Sequence, residues 1–140
     1  MDTPRSTTQI VRRGFDRVCA DFTKQMKQHG FSRHRARFWI RSNDGWVDVI
    51  HFHRYGISYG APLDNSVSIR VHFANHPNEL PDPIYLNGPS SGSLRDSSGD
   101  AYHLAFDALS LDTYDRCLED LARITFEHGF PWFASQRVRT

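Results

Sequence analysis

Hydrophobic positions over the first thirty residues fall on one stripe. Val11, Phe15, Val18, Phe22 and Met26 recur at spacings of four and three, the period of one α-helix face. Arg12, Arg13, Arg17, Lys24 and Lys27 lie mostly off that stripe. A helix is therefore predicted from about Thr7 to His29. Gly30 followed by Phe31 predicts its stop, because glycine accepts the left-handed conformation there and the next apolar residue folds back on Met26.

The period then changes to two. In "RFWIRSNDGWVDVIHFHRY", two strand-like runs flank Ser42-Asn43-Asp44-Gly45, which predicts a hairpin. Two registers compete. A two-residue Asp-Gly turn pairs Asn43 with Trp46 and sets His51 and His53 beside Phe38 and Ile40. A type I turn closed by a Gly45 bulge pairs Ser42 with Trp46 and suits Ser at the first turn position. The bulged register is preferred. It puts Phe38, Ile40, Ile50 and Phe52 on one face, and Arg37, Trp39, Arg41, Val47, Val49, His51 and His53 on the other. A one-residue slip exchanges the faces, so the choice matters. "SVSIRVHFA" alternates Val67, Ile69, Val71 and Phe73 against Ser66, Ser68, Arg70 and His72, and "YHLAFDAL" alternates again from Tyr102.

Residues 75–100 are rich in Pro, Gly, Ser, Asn and Asp and read as a long loop. A last helix is predicted from Asp112 as N-cap, with Tyr114, Cys117, Leu118, Leu121, Ile124 and Thr125 inward. Gly129-Phe130 reads as a second helix stop, Pro131-Trp132-Phe133 as a core or edge anchor, and 134–140 as a polar tail. The order is helix, hairpin, strand, loop, strand, helix. It predicts a single α+β domain over 1–140 with its core at about 8–134. The architecture expected is a two-layer sandwich, with an antiparallel sheet of about four strands packed on an N-terminal and a C-terminal helix.

Composition narrows the class. With 140 residues, 39% hydrophobic and 13% aromatic, a packed domain is expected. No apolar run approaches the length of a membrane span, and "MDTPRSTTQ" lacks the apolar core of a signal peptide. The expectation is a cytoplasmic protein. Cys19 and Cys117 form no Cys-x-x-Cys pair and read as buried hydrophobes. Residues 1–75 hold 12 Lys/Arg against 6 Asp/Glu, and residues 76–140 hold 5 against 10. The simplest consequence is that the two halves fold against each other. A basic half also suits an acidic partner.

The candidate chemistry sits on the strands. His51, His53, His72 and His103 occupy alternating positions, and if the bulged register holds they lie on the face away from the helices, where Arg37, Arg41 and Arg70 join them beside Trp39. A His-x-His pair can supply two metal ligands, but no His-Glu-x-x-His or paired-cysteine motif accompanies it, so no metal and no cofactor is assigned. A loop-roofed pocket for an anionic or planar ligand is the sharper idea. Against it stands the plainer reading that the loop covers an apolar patch. "SRHRARFWIR" interleaves cations and aromatics. Half of it belongs in a strand, which makes nucleic acid the weaker partner. No Gly-x-Ser-x-Gly elbow or phosphate loop occurs, and the balance leans away from an enzyme.

The ordering of a helix ending in Gly30-Phe31, a strand pair through Phe38, Arg41 and "VIHFHRYG", the alternating "SVSIRV" and a closing "HGFPWF" resembles the bacterial family called domain of unknown function 4304, over about residues 8–134. The resemblance implies architecture and bacterial origin, not an activity. A glutamine favoured by that family near the end of the second strand is replaced here by His53 or its neighbours, so no site is carried over. The function expected is that of a non-catalytic binding or interaction domain, an immunity-like or regulatory partner protein. The alternative is a small anionic-ligand pocket or enzyme on the His/Arg sheet face. Oligomeric state is left open.

Overall fold

The hairpin at Asp44-Gly45 decides how the sheet is built. In the computed structural model, which describes residues 7–55 and 65–137, both turn residues have positive φ (52° and 79°). Asn43 pairs with Trp46. This two-residue turn carries the twist that matches right-twisted strands, and aspartate tolerates the left-handed conformation. The bulged register is therefore replaced by its competitor. Trp39 and Arg41 turn to the helix side, whereas Phe38 and Ile40 turn away from it.

Five strands form one antiparallel sheet in chain order: β1 (Ser32–His34), β2 (Phe38–Asn43), β3 (Trp46–Tyr55), β4 (Ser66–Pro77) and β5 (Ala105–Asp107). The extra strand relative to expectation is β1, a polar stretch that pairs with β2 through its backbone. Helix α1 (Thr7–Lys27) precedes the sheet, and α2 (Tyr114–Ile124) follows it. α1 closes as the sequence predicts: Gly30 has φ 85°, and the Phe31 N–H reaches back to the Met26 carbonyl.

The C-terminal helix departs from the prediction at both ends. Thr113, not Asp112, is its N-cap residue, with φ 61° and no side-chain cap. Gly129 does not end it. One π-type turn, Thr125–Gly129, leads directly into α3 (Phe130–Arg137). The wide turn lets the chain pass Pro131, which lacks an N–H and would clash in a regular helix interior. Gly129 is needed for contact instead: a Cβ there would lie 2.7 Å from Cε1 of Phe73. Residues 134–137 are thus helix, and the remainder of the expected tail lies outside the described residues. No helix among the described residues is long and apolar enough to cross a membrane.

All three helices pack on one sheet face. Phe22 of α1 meets Trp39 edge-on at 4.9 Å and Phe52 at 4.6 Å. Phe133 of α3 meets Phe73. Trp39 is fully buried, and its Nε1–H donates to Thr23 Oγ1 at 2.9 Å.

Inside this layer lies a fully buried carboxylate, Asp48. The hairpin register sets it opposite Arg41, and the β3–β4 register sets it opposite Asn75. Its Oδ2 accepts from Arg41 Nε (3.1 Å) and Nη2 (2.9 Å) and from Arg137 Nη2; its Oδ1 accepts from Asn75 Nδ2 at 2.8 Å. The Arg41 guanidinium stacks 4.5 Å from the Phe31 ring and 5.1 Å from Phe130, and donates to the His29 carbonyl. One ion cluster thus joins the sheet, the end of α1 and α3. Asp48→Ala would leave two largely buried guanidiniums without a counter-charge. The expected loss is about 3–5 kcal/mol, read as a lower urea midpoint at unchanged m-value.

Candidate anion-binding groove

The face of the sheet away from the helices divides into two halves. Near the β2–β3 turn it is apolar. Val47, Val49 and Ala74 are buried there, with Phe38, Ile40, Leu80, Ile84 and Leu86 packed against them. The loop after β4 covers this patch, and histidines fasten it. His76 Nε2–H donates to the Tyr85 carbonyl (2.6 Å), and His72 Nε2–H donates to the Gly88 carbonyl (3.0 Å). A carbonyl can only accept, so both rings carry hydrogen on Nε2. The Asn87 amide pairs with both backbone groups of Asn75, a side chain standing in for a strand. Gly88 lies so close to β4 that a Cβ would sit 2.5 Å from the Phe73 carbonyl oxygen. Over this half the loop covers apolar surface.

The other half is polar. His51 lies directly opposite His72, His53 opposite Arg70, and Tyr55 opposite Ser68. Four of the seven sequence-selected residues, His51, His53, Arg70 and His72, thus share this face. Trp39 does not: the register buries it under α1. Arg37 also leaves, its guanidinium lying 5.2 Å from the Phe15 ring of α1. His103 precedes β5 and reaches the same region by another route. Its backbone N–H donates to the buried carboxylate of Asp120 at 2.6 Å, and its Nε2 is buried without a partner.

His51 is held neutral. Burial, followed by the neighbouring charges of His53, His72 and Arg37, lowers its pKa to about 4. Its ring lies 4.4 Å from Phe38. Among the described residues no group of three or more His, Cys, Asp or Glu is placed to hold a metal ion.

Arg70 and His103 open on a groove of about 400 Å³ beside β4, between the 3₁₀ turn Ser91–Ser93 and residues 101–105. Tyr55, Ser91, Arg95 and Tyr102 complete its working surface. The Arg70 guanidinium lies 5.0 Å from the Tyr55 ring centre, a stacking that orients the planar cation. Among the described residues no carboxylate lines the groove. Among the described residues neither Arg70 nor Arg95 forms an ion pair.

The acidic residues nearby are engaged in the wall behind. Tyr102 donates its hydroxyl to Glu127 Oε1 at 2.6 Å, and His128 Nε2–H donates to the Arg95 carbonyl at 2.6 Å. Arg123 bridges Asp120, Glu127 and Asp96 at 3.0, 3.6 and 3.7 Å. Asp96 also accepts the N–H groups of Ser98 and Asp100. The Asp100 N–H, first among these contacts, holds its carboxyl below the usual range. The groove can therefore present guanidiniums, a phenol ring and a hydroxyl to an anion, with fixed walls.

Sequence reasoning missed Tyr55, Ser91 and Arg95. Tyr55 was within reach, since it continues the alternation His51, His53. Arg95 carried no such signal in a loop. No family model, curated protein or solved structure matches the chain.

The depressed His51 pKa implies pH-dependent stability. Between pH about 4 and 6.5 the unfolded chain binds the proton and the folded chain does not. This contribution is complete above pH 6.5 and is lost as pH falls to 4. Because the ring is only partly buried, about 1–2 kcal/mol is expected rather than the full linkage value. His51→Asn should abolish that part: the stability gap between the two proteins, followed by urea unfolding, should shift between pH 6.5 and 4 and stay constant above.

Proposed function

We propose that this is a small binding domain that takes an anionic group, a phosphate or carboxylate, into the Arg70–Arg95 groove, and that it acts by binding rather than catalysis. One observation carries the reading: among the described residues, two arginines without counter-ions converge on a groove that no carboxylate lines. An unpaired guanidinium beside an aromatic ring is a ready partner for a planar or tetrahedral anion. Binding is favoured over catalysis by the state of the titratable groups at hand. The Tyr102 phenol is pushed up by burial and by its bond to Glu127, the opposite of what a phenolate base requires.

A reducing, cytoplasmic setting fits Cys19 and Cys117. Both are buried and free, and burial pushes both thiols up to about 12. The resemblance to the bacterial domain of unknown function 4304 belongs to the same proposal and contributes no activity.

Calorimetric titration with inorganic phosphate, pyrophosphate, citrate and adenosine monophosphate tests the reading. At least one should bind saturably, and Arg70→Ala and Arg95→Ala should each weaken it about tenfold or more, the worth of a charge-assisted hydrogen bond. Arg12→Ala, on the exposed side of α1, should change nothing. If none of the four anions binds, or all three variants respond alike, the groove is not the site.

A further inference from the structure

On the helix side of the sheet, an open trough of about 440 Å³ runs between α1 and the turn that links β5 to α2. Ile10, Arg13 and Arg17 form one wall, and Ala108, Leu109 and Leu111 form the other. The floor is a backbone contact: a Cβ on Gly14 would lie 2.7 Å from the Cβ of Ala108. Only glycine lets the turn approach the helix so closely.

The turn is stiffly made. Asp107 Oδ1 accepts the N–H groups of Leu109 (2.9 Å) and Ser110 (2.8 Å), which hold its carboxyl below the usual range, the Ser110 N–H foremost. The Leu111 N–H donates to the Asp107 carbonyl, and the Asp107 N–H to the Asp112 carbonyl. Leu111 and Thr113 both have positive φ, 62° and 61°. For a threonine this conformation is costly, and strain of this kind persists only where surrounding structure enforces it. What the strained turn displays is Leu109, 65% exposed. A rigid turn spending hydrogen bonds and strain to hold a leucine in water is explained if something covers that leucine.

The charge around the trough names what covers it. Arg13 and Arg17 stand one helical turn apart on the rim, and among the described residues no acidic side chain lines it. Arg13 has no ion pair among the described residues, and Arg17 lies 4.6 Å over the Tyr114 ring. α1 also carries no acidic residue in its first turn. From this complementarity we infer that the trough docks a partner protein through an acidic segment with one bulky apolar side chain. The side chain packs between Ile10 and Leu109, and the flanking carboxylates meet Arg13 and Arg17. This site is separate from the Arg70 groove and does not depend on it.

The test uses the full chain, ¹⁵N-labelled, and a capped peptide with a central Phe-Leu pair flanked by two aspartates on each side. Saturable amide shifts are expected at Gly14 and at 108–111. Leu109→Ser, which removes only an exposed side chain, and Arg13→Glu should each weaken binding about tenfold, the equivalent of losing one buried leucine contact or one ion pair. Arg70→Ala should leave it unchanged, so the two sites are read apart. The inference is overturned if no saturable shift occurs, or if a peptide with asparagine in place of aspartate binds equally well. It is also overturned if a thymidine decanucleotide gives the same shifts. Concentration-dependent sedimentation of the chain alone that Leu109→Ser abolishes would instead assign the trough to a second copy.

Discussion

The fold turns on the carboxylate of Asp48. Burying one charge without a partner costs several kcal/mol, so everything that reaches Asp48 must reach it together. Arg41 reaches it only if the hairpin closes in two residues, since the alternative register sends Arg41 to the opposite face. Arg137 reaches it only if the last helix continues beyond Gly129. Arg41 in turn needs its aromatic cradle, which Phe31 supplies from the end of α1 and Phe130 from the start of α3. Hairpin register, α1 stop and π-turn are thus three local choices answering one electrostatic requirement.

The same register governs the other face. With Phe38 and Ile40 turned outward, the sheet carries apolar residues on both sides near the hairpin, and half of the far face must be covered. The loop after β4 meets that need, and His72 and His76 are consumed in fastening it. The polar half is thereby confined to the opposite end, where the groove opens beside β4. A histidine-rich face that looked like one surface in the chain is two: an anchored lid and an exposed row.

Where pattern and period dominate, the sequence was readable. The stripe of α1, its Gly30 stop, the alternation of β4 and the inward set of α2 each follow from side-chain spacing. The hairpin faces were not, because Asp-Gly and a Gly bulge fit the same four residues locally. The decision rests on contacts far along the chain, with Thr23 for Trp39 and Arg137 for Asp48. Gly129 misled for a related reason. A glycine before phenylalanine signals a stop from within the helix, but its need for a bare Cα comes from Phe73, more than fifty residues earlier. Arg95 was illegible because a loop has no period from which to infer where a side chain points.

Net charge proved a poor guide to the field at the surface. The second half of the chain holds twice as many acidic as basic residues, yet the groove it helps to line is cationic. Four of the ten carboxylates in that half are turned onto the backbone or onto a neighbouring side chain: Asp96 onto Ser98 and Asp100, Asp107 onto Leu109 and Ser110, Asp120 onto His103, Glu127 onto Tyr102. A carboxylate that accepts backbone N–H groups stiffens its loop, and Asp96 and Asp120 also hold Arg123 in the wall behind the groove. A guanidinium cannot be satisfied so cheaply, because its five donors demand several acceptors in a plane. Around both open surfaces, one beside β4 and one beside α1, the charged side chains among the described lining residues are arginines, although the chain as a whole is nearly neutral.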